Sequence, residues 1–310
     1  MRFPFHLFSN VPTFDFIGYR KIGFALTLLG MVASLVSLST RGLNYGIDFA
    51  GGVVMEVRTE AAADVAKMRG LLDATPGTEN ASLQSIGAEG RQVLIRLKPQ
   101  GDENQNQVAV AVRQTLDTGY GAPIEYLRTD YVGPQVGGEL IKSSFLALTL
   151  AMGAMAVYLW FRFEWQYGGG GILALVHDAV LTVGFYSFTQ IEFNLTSVAA
   201  VLTVIGYSIN DSVVIYDRVR ENLRKYKVRP VAEVLNLACN ETLARTFLTG
   251  GTVLAALAGL VWFGGDVLYG FSAAMIFGVI VGTYSSIYVS ATVLIYLNLR
   301  RSEVVGNATA

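Results

Sequence analysis

The chain has 310 residues, of which 52% are hydrophobic and only 15% charged, and its mean hydropathy is +0.45. Soluble domains carry roughly 25% charged residues, so an ordinary globular enzyme is excluded and an integral membrane protein remains. The formal net charge of -1 removes nucleic-acid binding by bulk electrostatics, while one cysteine (Cys239) and two histidines (His6, His177) rule out disulfide frameworks and the common zinc centres.

Residues 1–21 form a short leading segment that ends on Arg20-Lys21, and the apolar run Ile22–Thr40 predicts a first transmembrane helix over 22–40. Ser37-x-Ser39 resembles a small-residue cleavage site, but the run is longer than a signal-peptide core and cleavage would leave five spans. Retention is the expectation.

Residues 41–142 differ in kind, holding ten of the 23 basic and 13 of the 24 acidic residues. Gly52–Thr59 reads as a strand and Ala62–Ala74 as an amphipathic helix. Ala81–Ile86 and Gln92–Leu97 read as a hairpin across Gly87–Gly90, Glu103–Leu116 as a second helix and Ile124–Tyr131 as a fourth strand. The order β-α-β-β-α-β predicts a ferredoxin-like α+β domain between helices one and two.

Five further spans follow, predicted at 143–161, 168–190, 193–217, 245–265 and 268–299, with a tail over 300–310. Buried helices of a soluble protein would need polar faces at helical spacing, and the last run of over 30 uncharged residues has none. Arg20-Lys21, Arg162, the six basic residues of Asp217–Arg229 and Arg300-Arg301 flank one side. The connections on the other side, Thr189–Asn194 and Gly264–Gly270, contain no Lys or Arg, which places both termini in the cytoplasm and residues 41–142 outside.

An ionisable group at membrane depth costs roughly 2.5–3.5 kcal/mol, so each one needs a reason. Asp211 stands well inside the fourth span, with Ser208, Asn210 and Ser212 as neighbours. Ionising it there is costly and a nearby cation offsets that cost, a balance that lets one carboxyl change state as a proton passes. Asp217 reads as an interfacial charge paired with Arg218 or Arg220. Arg245, opening the fifth span, is either a snorkelling anchor or a cation that neutralises Asp211. His177-Asp178 lie mid-run in the third span and, pointing about 100° apart, need not touch. A proton relay and a static interhelical hydrogen bond suit them equally. Ala274, Gly278, Gly282, Ser286 and Ser290 form a small-residue stripe for close helix packing. No nucleophile elbow, Walker loop or His-Glu-x-x-His motif is present.

Several stretches together carry a resemblance. These are Gly46-Ile47-Asp48-Phe49-Ala50-Gly51-Gly52, Val132-Gly133-Pro134-Gln135-Val136-Gly137-Gly138-Glu139-Leu140, His177-Asp178, Leu202–Arg218 with Gly206, Asn210, Asp211, Asp217 and Arg218, then Leu243-Ala244-Arg245-Thr246, Phe263-Gly264-Gly265 and Gly282-Thr283-Tyr284-Ser285-Ser286. In this order, over nearly the whole chain, the sequence resembles the SecF subunits of the SecD/SecF protein-export family. The resemblance implies half of a resistance-nodulation-division architecture in the bacterial inner membrane, completed by a SecD partner. It also implies an association with the SecYEG channel and a YajC-like accessory subunit, and action on exported preproteins. The family uses the proton gradient, with no cofactor beyond the coupling proton, to promote preprotein release on the outer face. Its functional pair maps onto Asp211 as the proton-responsive carboxylate and Arg245 as the intramembrane cation, with Asn210, His177 and Asp178 around them. A proton-coupled small-molecule exporter of the same fold and a non-transporting scaffold are the alternatives.

Overall fold

The computed structural model describes residues 13–79, 81–86, 89–97, 105–297 and 299. His6, half of the 87–90 hairpin turn, Glu103-Asn104 and the 300–310 tail therefore lie outside the described residues. Six helices are long and apolar enough to cross a membrane, and a four-stranded sheet domain stands between the first and second of them.

The first span is α1 (Arg20–Thr40). A short helix α2 (Ile47–Ala50) then leads into β1 (Gly52–Thr59), α3 (Val65–Asp73), β2 (Ser82–Ile86), β3 (Gln92–Leu97), α4 (Gln105–Gly119) and β4 (Ile124–Val132). The strand order β2-β3-β1-β4, antiparallel throughout, is the ferredoxin-like arrangement expected from the element order. Alternation sets the layers. Val53, Met55 and Val57 of β1 and Val93, Ile95 and Leu97 of β3 turn one face of the sheet inward. There they meet Met68 and Leu72 of α3 and Val112 and Leu116 of α4. Tyr126 of β4 donates its hydroxyl to Asp117 Oδ1 at 2.9 Å, and burial together with that carboxylate raises its phenol above the usual range. At the sheet's entry only glycine serves: Gly52 has φ +146°, and a Cβ there would lie 2.2 Å from the Leu97 carbonyl oxygen.

Five helical spans complete the chain: α5 (Pro134–Arg162), α6 (Trp165–Thr189), α7 (Leu195–Lys225), α8 (Val231–Phe263) and a last span that opens as α9 (Gly265–Ser285). Three helices outrun the apolar stretches that announced them. Extended Gly133 and Pro134 at the first helical position start α5 nine residues before the apolar run. The basic segment after Asp217 continues α7 to Lys225, and α8 begins directly after Pro230 rather than near residue 245. A hydropathy run marks the part of a helix that meets lipid, while polar residues of good helix propensity carry the backbone on into water. The final uncharged run is not one regular helix. A π-helical turn over Ser286–Ala291 separates α9 from α10 (Thr292–Tyr296).

The small-residue stripe lies buried. A Cβ on Gly278 would come within 2.1 Å of Val204 Cγ2, and one on Gly282 within 3.2 Å of the Ser208 Cβ. This face of α9 therefore packs on α7 at a distance that larger residues forbid. By contrast α5 stands at the rim of the bundle, with Phe145, Leu150, Trp160 and Phe161 exposed. At the end opposite the sheet, residues 13–18 are strapped to the extended part of α8. There Asn240 accepts from the Phe14 amide at 2.9 Å and donates back to its carbonyl at 2.8 Å.

Candidate functional site: two buried carboxylates in the helix bundle

Near the sheet side, the motif before β1 is tied to the α6–α7 connection. The Gly46 amide donates to the Phe193 carbonyl and the Phe193 amide to the Asn44 carbonyl, both at 2.8 Å. Asp48 Oδ2 accepts from the Leu195 amide at 3.1 Å, so this carboxylate stands at the N-terminus of α7, where the helix dipole favours a negative charge. Gly46 and Gly51 bracket α2 as its caps. Arg96 of β3 reaches Glu192 at 2.8 Å, with both side chains largely covered. The sheet domain is thus anchored directly to the start of the helix that carries Asp211.

Asp211 is 2% exposed, and its Oδ2 has no hydrogen-bond partner among the described residues. At 1.5 Å per residue it lies about 24 Å below the sheet-side end of α7. Arg245 of α8 lies about 27 Å below the sheet-side end of its own helix by the same measure. The two opposite charges share a depth and interact electrostatically, but they form no ion pair. Asn210 and Arg245 are both exposed on the bundle surface, as is Gly206, which borders open space.

The second carboxylate belongs to Asp178, which is fully buried on α6. His177 and Asp178 do touch: Nδ1 lies 2.8 Å from Oδ1, because rotation about the side-chain torsions closes the backbone angle that separates them. Nδ1 is thus the ring nitrogen that meets the carboxyl group, and His177 Nε2 is buried without a hydrogen-bond partner among the described residues. Ser208 of α7 and Ser285 of α9 both donate to Asp178 Oδ2, the latter at 2.7 Å. One carboxylate therefore joins three helices, at the residue immediately before the π-helical turn. Sequence reading placed Ser208 beside Asp211 as a local partner and did not single out Ser285. The pairing shows only once α6, α7 and α9 are packed, although a serine one helical turn before Asp211 facing a small-residue stripe was the available signal.

Asp217 pairs with neither Arg218 nor Arg220. Its two oxygens both accept from Nη2 of Arg162 on α5, at 2.8 and 3.0 Å, while Arg218 turns to Glu221 and Glu241 and Arg220 to Glu164. The chain end of α5 approaches α7 there, a neighbour that local spacing does not reveal. Among the described residues no group of three metal-ligating side chains comes together.

The arrangement matches known proteins closely. The family model described as "Protein export membrane protein SecD/SecF, C-terminal" matches residues 112–300, and the "SecD/SecF GG Motif" matches residues 36–63. The chain is 45% identical over 292 residues to the protein translocase subunit SecF of Rickettsia rickettsii, covering 94% of each. It is also 45% identical over 296 residues to that of Pseudomonas aeruginosa, covering 96% of this chain and 95% of the relative. Among solved structures, SecDF from Thermus thermophilus, a translocon-associated membrane protein, superposes with a TM-score of 0.81 at 34% identity over 97% of this chain. A SecDF in a super-membrane-facing form gives 0.75, also at 34%. The chain spans about 40% of the length of those SecDF chains.

Proposed function

The chain belongs to the SecD/SecF family of protein-export membrane proteins, and from that premise we infer that it is the SecF subunit of a bacterial Sec translocase. It acts beside a SecD partner, the SecYEG channel and a YajC-like accessory subunit to promote release of preproteins. The protein is multi-pass in the inner membrane, with both termini in the cytoplasm and the sheet domain outside, a reading that the basic flanks support. The relatives are named translocase subunits, which disfavours a small-molecule exporter.

Protons drive this work through Asp211. The observation that carries the reading is a carboxylate 2% exposed, with an oxygen lacking any hydrogen-bond partner among the described residues, at a depth close to that of Arg245 and under the influence of its charge without pairing with it. A buried acid left in that condition is a functional site rather than a fastening. One charge crossing a membrane at 100 mV releases about 2.3 kcal/mol. Protonating Asp211 weakens its attraction to Arg245 and shifts the packing of α7 against α8. Because Asp48 and the Arg96–Glu192 pair tie the outer domain to the start of α7, that shift moves the domain. Asn210 and Arg245, exposed in this chain, meet the SecD half, since a charge facing lipid at this depth is costly. His177 and Asp178 position α7 through Ser208.

The test is Asp211→Asn in inverted membrane vesicles. The variant inserts and assembles with SecD, and preprotein export loses its dependence on the proton gradient. Export that still responds to the gradient in this variant overturns the assignment.

A further inference from the structure

At the end of the bundle away from the sheet, an open cavity of about 580 Å³ is lined by Arg162, Asp217, Arg220, Glu221, Arg224 and Lys225. None of these takes part in the proton pathway inferred above. Four of the six are cations. Asp217 is engaged by Arg162, and Glu221 shares Arg218 with Glu241; among the described residues neither carboxylate forms an ion pair with the remaining cations. Arg220, the more covered of the two ion-paired arginines, reaches Glu164 only at 3.4 Å, and its Nε is buried without a hydrogen-bond partner among the described residues. Arg224 and Lys225 have no carboxylate partner among the described residues, and Lys225 stacks over Tyr226 at 5.0 Å. The cavity therefore carries an uncompensated positive charge and an unsatisfied guanidinium donor.

Its position identifies the anion. α5 ends at Arg162 and α6 begins at Trp165, so this level is where two spans leave the hydrocarbon. On α7 the cavity begins about 33 Å below Leu195, just past the roughly 30 Å core. Trp160, Phe161 and Trp165 are 66%, 86% and 52% exposed beside it, an aromatic girdle at headgroup height. Guanidinium groups match phosphate oxygens in pairs, and the adjoining bare flank of α5 is apolar.

We propose that this cavity binds the phosphate headgroup of an anionic glycerophospholipid of the cytoplasmic leaflet, with its acyl chains laid along the exposed end of α5. Arg220, Arg224 and Lys225 hold the phosphate, and Trp160 and Phe161 flank the chains. The bound lipid is a fixed component that seats the cytoplasmic ends of α5 and α7 together. The site makes no demand on proton coupling.

The experiment titrates the full chain, purified with its SecD partner in detergent, with phosphatidylglycerol and reads the first bound lipid by native mass spectrometry. Arg224→Gln/Lys225→Gln binds that lipid roughly 30-fold more weakly. Lys227→Gln/Arg229→Gln, which removes equal charge from the same segment outside the cavity, stays within about threefold of the parent. Phosphatidylcholine does not compete, and neither does millimolar inorganic phosphate. Equal losses in the two double variants would assign the effect to general surface charge. Displacement by inorganic phosphate would make the site one for a soluble anion, and absence of a tightly held lipid on the parent complex would mean the partner subunit covers it. Each of these results overturns the proposal.

Discussion

Asp178 and Asp211 are both buried aspartates in one helix bundle, yet their surroundings are opposite in kind. Asp178 accepts from two serine hydroxyls and contacts an imidazole, so its carboxylate is held from three directions by α6, α7 and α9. Asp211 has an oxygen with no hydrogen-bond partner among the described residues and a cation that interacts without closing on it. A low-dielectric interior strengthens satisfied hydrogen bonds and penalises unsatisfied ones. The same residue type is thus a fastening at one depth and, about 7 Å further in, the unfastened carboxylate on which the proposed proton coupling rests.

The sharpest way to break this contrast is to make the same replacement at both sites. Asp211→Asn loses no hydrogen bond, so thermal stability of the detergent-solubilised complex stays within about 0.5 kcal/mol while gradient-dependent export is abolished. Asp178→Asn does the reverse. An amide NH₂ turned to the serines takes away the acceptor of two hydroxyl bonds, and turned to His177 it forces the ring proton onto Nε2, which has no acceptor among the described residues. Either way buried hydrogen bonds are lost, at a cost of about 3 kcal/mol of stability. Residual export by this variant remains gradient-dependent. A pair of variants with matching stability losses would show that the two carboxylates are both structural.

How far the contrast depends on close helix packing is probed next. Gly278→Val drives a side chain into Val204, and overpacking of this kind costs about 2 kcal/mol. Separating α9 from α7 also lengthens the Ser285–Asp178 contact, so unfolding of this variant and of Asp178→Asn should be less than additive when combined. Strict additivity, measured in a double-mutant cycle, would mean that the stripe and the Asp178 node are independent features.

Much of this architecture was legible in the residues. Gly52–Thr59 and Gln92–Leu97 alternate so regularly that both strands fall where the pattern put them, and the six lipid-crossing stretches stand out because a bilayer demands length and lacks charge. What stayed hidden is whatever depends on helices meeting. Hydropathy is silent about helix continuing into water, as in α7 beyond Asp217. Local spacing favoured Arg218 or Arg220 for Asp217, whereas the actual partner, Arg162, lies 55 positions away. The π-helical turn has no compositional mark, because its six residues differ little from the helix on either side. Of the site, Asp211 was conspicuous as the one acid of its apolar run, but that it would be unpaired is a property of the packed bundle.

The smallest expected effect concerns the link between the two carboxylates' helices and the sheet domain. Arg96 and Glu192 are 18% and 25% exposed, covered enough for the pair to escape full screening yet wet enough that neither pays a full desolvation cost. Arg96→Gln and Glu192→Gln, with their double variant, should yield a coupling energy of about 1 kcal/mol, read as faster hydrogen exchange in β2 and β3. The singles leave Asp211 untouched, so if the sheet domain is moved by α7, export in them weakens while its response to the gradient persists. A coupling energy near zero with unchanged export would leave the Asp48 cap on α7 and the Gly46–Phe193 backbone contact as the links that transmit the motion.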